Sequence, residues 1–415
     1  YTGSTKSYSR NSPAIGSSTV VVGDRALGRA ALIALNKSTG ALAWKTRVDT
    51  DPSAVITGSP IIYDGLVYVG VSSQEEGNPQ FFGHPNFRGS VVALDEATGK
   101  LVWRLYTVPR GYTGGAVWGS TPAIDPARGL LYFTTGNNTH LPDSVATCVN
   151  ATTDPTAQLA CMAPDNYFNS VVAVSMKTGK VKWADRLNNG ADSWFFACLW
   201  QGSSCQVLDS PDYDFGSGAN LITATINGQS TQLVGAGQKS GVYWALNPDT
   251  GKVVWSTQVG PGSFSGGIMW GSASDGKQIY VSLANALHES FALDNGTGPV
   301  WNGGAWTALD VGTGAMVWQV PELGTTPNDS TQPSVIGTAM TVANGVVFTG
   351  TADGYMVALD AASGDVLWKF QTPGTIMCGP SVVNGTVYWG SGWSGFGGSS
   401  SATLVNNVVY AFSVQ

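Results

Sequence analysis

The sequence predicts an all-β propeller of four-stranded blades, and three observations carry that expectation. The stretches ALIALNKSTGALAW, VVALDEATGKLVW, VVAVSMKTGKVKW, VYWALNPDTGKVVW, WTALDVGTGAMVW and MVALDAASGDVLW are six copies of one design. Upstream of most copies lies a second pair of strand signals, as in SPIIYDGLVYVG, TPAIDPARGLLYFTTG, TVANGVVFTGTADG and PSVVNGTVYWGSG. The composition, with 43% hydrophobic but only 11% charged residues, 54 Gly and 15 Trp in 415 residues, favours short strands, tight turns and aromatic packing over helices. Repeated four-stranded units separated by irregular insertions are the mark of a propeller.

Each copy reads as an alternating apolar strand, a turn of the form Asp/Asn-x-x-Thr/Ser-Gly, and a second short strand ending on Trp. The Gly supplies the positive φ that the hairpin turn needs. The pairs are Gly40 with Trp44, Gly99 with Trp103, Gly179 with Trp183, Gly251 with Trp255, Gly314 with Trp318 and Gly364 with Trp368. An indole of this kind is expected to wedge between adjacent sheets, so these tryptophans read as frame. A seventh unit, GTVYWG followed by NNVVYAFSVQ, lacks the Thr-Gly turn and the terminal Trp. Its missing outer strand is expected from the N-terminal side of the chain, which would pair an otherwise open edge. Residues 1–415 are therefore read as a single propeller domain with seven visible units.

Charge and hydropathy exclude some functions. A net charge of −7 and a pI near 4.9 argue against nucleic acid, whose phosphates need clustered Lys and Arg. No apolar run approaches the roughly 20 residues that span a bilayer as a helix. Cys148 and Cys161 flank one loop and Cys198 and Cys205 another, and both pairs read as local disulfides, with Cys378 left over. Sequons begin at Asn36, Asn137, Asn150, Asn295, Asn328 and Asn384. Together these point to a secreted, extracellular glycoprotein. His84, His140 and His288 share no metal-ligand spacing, and no Cys-x-x-Cys-His marks an attached haem.

The repeat A-L-D-x-x-T-G-x-x-x-W resembles that of the pyrroloquinoline quinone (PQQ) dehydrogenase propellers, usually eight-bladed. GLVYVGVSSQEE, AVWGSTPAIDPARGLLYFTTGN, the Cys198 to Cys205 loop with PDYDFG after it, and GQKSGVYWALNPDTG are most similar to the polyvinyl-alcohol-dehydrogenase-like branch. The resemblance runs from about Arg10 to the C-terminus. Family members usually open with a further repeat, so the resemblance implies either a blade outside this chain or a propeller of seven.

A flat tricarboxylate quinone needs an aromatic floor, cations for its carboxylates, a divalent metal at its reactive carbonyl and a base for the alcohol proton. By resemblance, Trp118 in AVWGS is the floor, and Glu75 in VGVSSQEE and Asn137 in TTGN are calcium ligands, hard oxygen donors suited to that ion. Lys239 in GQKSG matches the cation that contacts the quinone oxygens, and Arg10 in YSRNS an Arg that pairs with a cofactor carboxylate. Without the resemblance, Trp118 is another wedge, Glu75 a solvated acid, and Lys239 and Arg10 surface cations. Asn137 carries a conflict of its own, because a glycan on it excludes metal ligation. Many alcohol-oxidising members carry Trp-Asp where ADSWFFACLW stands, and the position of that base is here Phe195. Asp192, three residues earlier, is the substitute candidate, with Asp212 and Asp214 as further ones and turn-shaping roles as the alternative for all three.

Two functions follow as expectations. One is a PQQ- and calcium-dependent oxidoreductase that takes a small or polymeric alcohol to a carbonyl by hydride transfer and passes electrons to a separate acceptor. The other is a secreted propeller that keeps the frame without the chemistry and serves in an extracellular assembly.

Overall fold

The computed structural model describes residues 9–413 except 27, 29, 76–84, 120, 188–189, 194–205, 208–209, 328, 336 and 393–403. The chain divides into two compact units, Tyr1–Ala219 and Asn220–Gln415. Among the described residues seven antiparallel sheets of three or more strands follow one another along it, three in the first unit and four in the second, as the blades of a propeller. These are the seven units that the sequence makes visible.

Blade 2 shows how the repeat becomes structure. Its strands Ile61–Tyr63, Leu66–Ser73, Ser90–Asp95 and Leu101–Tyr106 pair in chain order. Ser90–Asp95 is buried along nearly its whole length, because it packs on both faces and so reads as a continuous apolar run. The outer strand Leu101–Tyr106 faces solvent and buries only Trp103 completely. Between them the turn closes through Gly99, whose N–H donates to Asp95 O at 2.8 Å with φ at +68°.

The terminal tryptophans fasten one blade to the next. In the first unit Trp44 Nε1 donates to Glu96 O (2.8 Å) and Trp103 Nε1 to Met176 O (2.8 Å). In the second unit Trp255 Nε1 donates to Val311 O (3.1 Å) and Trp318 Nε1 to Ala361 O (3.0 Å). Every one of these acceptors lies in the turn of the following blade. Three of these indoles also meet a tyrosine of their own blade, Tyr68 with Trp103 and Tyr243 with Trp255 at 5.9 Å and Tyr280 with Trp318 at 6.1 Å between centroids. The apolar core is accordingly a series of layers between blades. Burying one such aromatic contributes roughly 2–3 kcal/mol.

Blade 7 has three strands, Ser381–Val383, Thr386–Ser391 and Val408–Ser413. Among the described residues nothing pairs with the outer side of Val408–Ser413. The N-terminal strands Ala14–Ile15 and Thr19–Asp24 belong to blade 1, and residues 1–8 lie outside the described residues. Trp368 of blade 6, whose following unit lacks the Thr-Gly turn, is 38% exposed and rests on Phe370 and Phe412.

Cys148 and Cys161 form the expected disulfide. The segment they flank is two short helices, Asp143–Asn150 and Pro155–Cys161, where the sequence reads as loop. Asp154 caps the second by accepting from Ala157 N–H at 2.7 Å, with Pro155 at the first helical position. Cys198 and Cys205 lie outside the described residues. Cys378 is an exposed residue whose sulfur sits 3.7 Å from Gly390 O.

Candidate functional site

In the first unit Glu75, Trp118 and Asn137 belong to segments that hydrogen-bond to one another beside strand ends, with Arg10 ahead of the first strand of blade 1 and Asp192 in the loop after blade 3. Strand Leu66–Ser73 of blade 2 leads directly into Glu75. Its Val71 O accepts from Val117 N–H at 3.2 Å, so the segment carrying Trp118 runs along that strand. The same segment meets the end of strand Leu130–Thr134: Gly136 N–H donates to Ala116 O and Gly115 N–H to Asn137 O, both at 2.7 Å. A side chain at Gly114 would come within 2.5 Å of Asn137 O, which explains a glycine with φ +91° there. Thr57 Oγ1 donates to Trp118 O at 2.9 Å and ties in the start of blade 2.

Glu75 is 1% exposed. Its Oε1 accepts from Asn86 N–H (2.7 Å) and Phe87 N–H (2.9 Å), and its Oε2 is buried without a hydrogen-bond partner among the described residues. Burial pushes this carboxyl up to about 7, against those two backbone donors and with the Asp51 charge adding to the rise. A desolvated carboxylate with one oxygen engaged and one open is a fitting cation ligand. Asn137 is 3% exposed, and Asn138 and Thr139 beside it are buried as well. Its sequon is therefore hidden in the folded protein. Asn36, Asn150, Asn295 and Asn384 are exposed, and Asn328 lies outside the described residues. Among the described residues no three His, Cys, Asp or Glu side chains gather as a metal site. A ligand pair of one carboxylate and one amide is of a different kind.

Trp118 is half-buried, unlike Trp44, Trp103, Trp255 and Trp318, and its Nε1 donates to Asp214 Oδ2 at 2.7 Å. Asp214 belongs to the loop after the undescribed segment 194–205, and Asp192 holds that loop down. Asp192 is fully buried; its Oδ1 accepts from Ser210 Oγ (2.5 Å) and Asp212 N–H (3.3 Å), and its Oδ2 from Asn169 Nδ2 and Tyr213 N–H (both 2.8 Å). Burial raises its pKa, opposed by those donors and reinforced by Asp214. Asp212 is 1% exposed and sits at φ +56°, a left-handed conformation that Asp tolerates better than most residues. Phe195 lies outside the described residues.

Arg10 shares its surroundings with Arg25, a residue the sequence does not single out. Asn11 joins the two segments: Gly23 N–H donates to Asn11 Oδ1 at 3.0 Å, and Asn11 Nδ2 to Gly23 O at 3.4 Å. Burial first, and the neighbouring Arg25 second, hold the Arg10 guanidinium down at about 9. In the second unit Lys239 is 5% exposed in the turn between strands Gln229–Gly237 and Val242–Leu246, where its O accepts from Ser263 N–H at 3.2 Å. A side chain at Gly267 would overlap that carbonyl.

Comparison with known proteins gives this arrangement its context. Residues 57–261 match the family described as glucose/ethanol/alcohol dehydrogenase, beta-propeller domain, and residues 302–414 match the one described as outer membrane protein assembly factor BamB. Polyvinylalcohol dehydrogenase of a Pseudomonas species is 31% identical over 93% of this chain and 60% of its own length. The protein of the same name from Sphingopyxis sp. strain 113P3 is 32% identical with the same coverage of each. This chain thus spans only 60% of the length of these relatives. Among solved structures, the quinohemoprotein alcohol dehydrogenase ADHIIG of Pseudomonas putida HK5 superposes with a TM-score of 0.67 at 21% identity, covering 92% of this chain and 62% of that one. At that identity the likeness is one of fold.

Proposed function

The chain belongs to the PQQ-type alcohol dehydrogenase propellers and is related to polyvinyl alcohol dehydrogenase, and on that premise we propose that it is a secreted, PQQ- and calcium-dependent oxidoreductase acting on an alcohol. The observation that carries the reading is Glu75: a buried carboxylate with one open oxygen, on the strand end that also carries the Trp118 segment.

Glu75 Oε2 and the side-chain carbonyl of Asn137 are the proposed calcium ligands. The Asn86 and Phe87 amides hold Oε1, so the carboxylate is already oriented before an ion arrives. The half-buried face of Trp118 is the proposed floor for the quinone ring. Arg10, with Arg25 beside it, receives cofactor carboxylates, and Lys239 is assigned the quinone oxygens by resemblance. When bound, the quinone supplies a two-electron acceptor for alcohol oxidation.

The alcohol proton needs an acceptor within this chain. Asp192, the substitute base of the sequence, has both oxygens engaged by four donors, and we assign it to holding the loop. Asp212, whose backbone it fixes, is the proton acceptor in this reading, and its left-handed φ suits a residue held for function.

A second reading, a propeller that binds partners without catalysis, has one observation in its favour, the BamB-type match over residues 302–414. Titration of the purified protein with calcium and PQQ, followed by dye-linked oxidation of simple and polymeric alcohols, separates the two. The oxidoreductase predicts a saturable change in quinone absorbance and turnover that Asp212→Asn abolishes. No spectral change at saturating cofactor leaves the binding propeller.

A further inference from the structure

We propose that Asp214 is the positioning residue of this site: its carboxylate fixes the half-buried indole of Trp118, through the ring nitrogen, as a rigid plate for a flat, electron-poor ring. The inference rests on the quinone reading above and adds a residue and a physical role to it.

The geometry supports it from both partners. Trp118 Nε1 donates to Asp214 Oδ2 at 2.7 Å, a short bond to an ionisable acceptor. It runs along the ring edge rather than over a ring face, and it resists rotation of the ring. The four wedge tryptophans whose indole bonds are described above all donate instead to a backbone carbonyl of the next blade. Trp118 alone among these five is held by a carboxylate and remains half-buried.

Asp214 is itself held. Asp192 grips the preceding residues through Ser210, Asp212 and Tyr213. On the other side, Phe215 N–H reaches Thr135 O at 3.4 Å and Thr134 Oγ1 donates to Ser217 O at 2.6 Å. Gly136, between Thr135 and the proposed ligand Asn137, leaves room for the carboxylate, since a Cβ there would stand 3.1 Å from Asp214 Oδ2. The acceptor is thus fixed by the same strand end that carries Asn137. Negative charge at the ring nitrogen also enriches the π-system, which favours stacking on a quinone over stacking on an electron-rich ring.

The test uses the indole signal as well as the cofactor. In the ¹⁵N-labelled protein without cofactor, the Trp118 indole resonance is assigned by its loss in Trp118→Phe. Asp214→Ala is expected to move it upfield and speed its solvent exchange, with Asp214→Asn, which keeps an oxygen acceptor, lying between. PQQ affinity, read by fluorescence quenching, is expected to fall by about tenfold or more in Asp214→Ala and by less in Asp214→Asn, the scale usual for groups that orient a ligand-binding side chain. Added to Trp118→Phe, Asp214→Ala should cost almost nothing further. An unmoved indole resonance, or a moved one with unchanged PQQ affinity, overturns the proposal. A wild-type protein that binds no PQQ overturns the quinone reading and the plate's ligand with it, whereas unchanged binding in Asp214→Ala sinks only the positioning role. Thermal midpoints show which variants are folded, and Asp214→Asn keeps the test usable if Asp214→Ala is not.

Discussion

Gly99 lies against the face of Trp44, so closely that a Cβ on the glycine would stand 2.5 Å from Cδ2 of the indole, while Trp44 Nε1 bonds Glu96 O three residues earlier. The same contact recurs between Gly179 and Trp103, Gly314 and Trp255, and Gly364 and Trp318. A glycine is thus required twice at this place, for its positive φ and for the indole's approach.

The two requirements can be separated. Gly40 occupies the same turn position in blade 1 with φ +71°, but among the described residues nothing lies within 4 Å of where its Cβ would be. Gly40→Ala should cost only the left-handed strain, about 1–2 kcal/mol. Gly99→Ala adds the overlap with Trp44 and should lose about 2–5 kcal/mol in all. Urea unfolding of the two variants compares them, and equal losses would show that the indole gives way freely.

Glu75 predicts a pH dependence that calcium removes. Its carboxyl is raised to about 7 in the folded protein, above its ordinary value of 4.5, so between those limits the folded state binds more protons than the unfolded. Stability from this group is fully present below about 4.5 and is lost as pH rises through 7. A cation on Oε2 favours the charged form and should cancel the trend. Thermal midpoints across this range, with calcium or with chelator, should therefore diverge toward pH 8 in the wild type and coincide in Glu75→Gln. Divergence that survives in Glu75→Gln would place the calcium elsewhere.

Glu322 should behave alike in sign but ignore calcium. It is 2% exposed at the end of strand Met316–Pro321, and burial drives its carboxyl up to about 8, with Asp353 adding and the Ser334 hydroxyl and Ala352 amide opposing. Its contribution to stability is complete below about 4.5 and fades as pH rises through 8. Glu322→Gln should match the wild type near pH 5 and exceed it at pH 9, with no difference between calcium and chelator. A variant less stable than wild type at pH 9 would mean that the charged form is favoured by the fold.

Glycan mapping tests the burial of Asn137 directly. Peptide mass spectrometry of the protein made in a glycosylating host should find Asn137 unmodified, with glycans confined to exposed sequons such as Asn36, Asn150, Asn295 and Asn384. A glycan on Asn137 in folded protein would remove both the buried environment and the calcium ligand.

The frame was legible in the sequence because it repeats. Asp95-to-Gly99 and Trp103 announce a hairpin six times over, and the apolar run before each turn marks a strand covered on both faces. The site residues were legible only as separate motifs. Nothing in VSSQEE or TTGN says that Glu75 and Asn137 hang from strand ends joined through residues 115–117. Asp214 reads as a loop-shaping residue, since its partner Trp118 is 96 positions away and no period links them. Arg25 carries no local signal at all; it becomes notable only once Asn11 pairs with Gly23 and brings Arg10 alongside. The helices Asp143–Asn150 and Pro155–Cys161 were missed because short helices under a disulfide depend on caps and the crosslink more than on apolar periodicity.

The hidden sequon at Asn137 makes timing part of this protein's chemistry. Oligosaccharide is transferred to emerging chain, and Asn137 follows Leu130–Thr134 by only a few residues, whereas Asn169 and Ser193, whose backbones pair beside it with Gly136 and Asn138, are made later. In a host that glycosylates nascent chains, transfer and strand pairing compete for one amide. The same gene should then give less functional protein from such a host than from one without the transferase, and Thr139→Ala, which erases the acceptor signal but spares the amide, should close the gap.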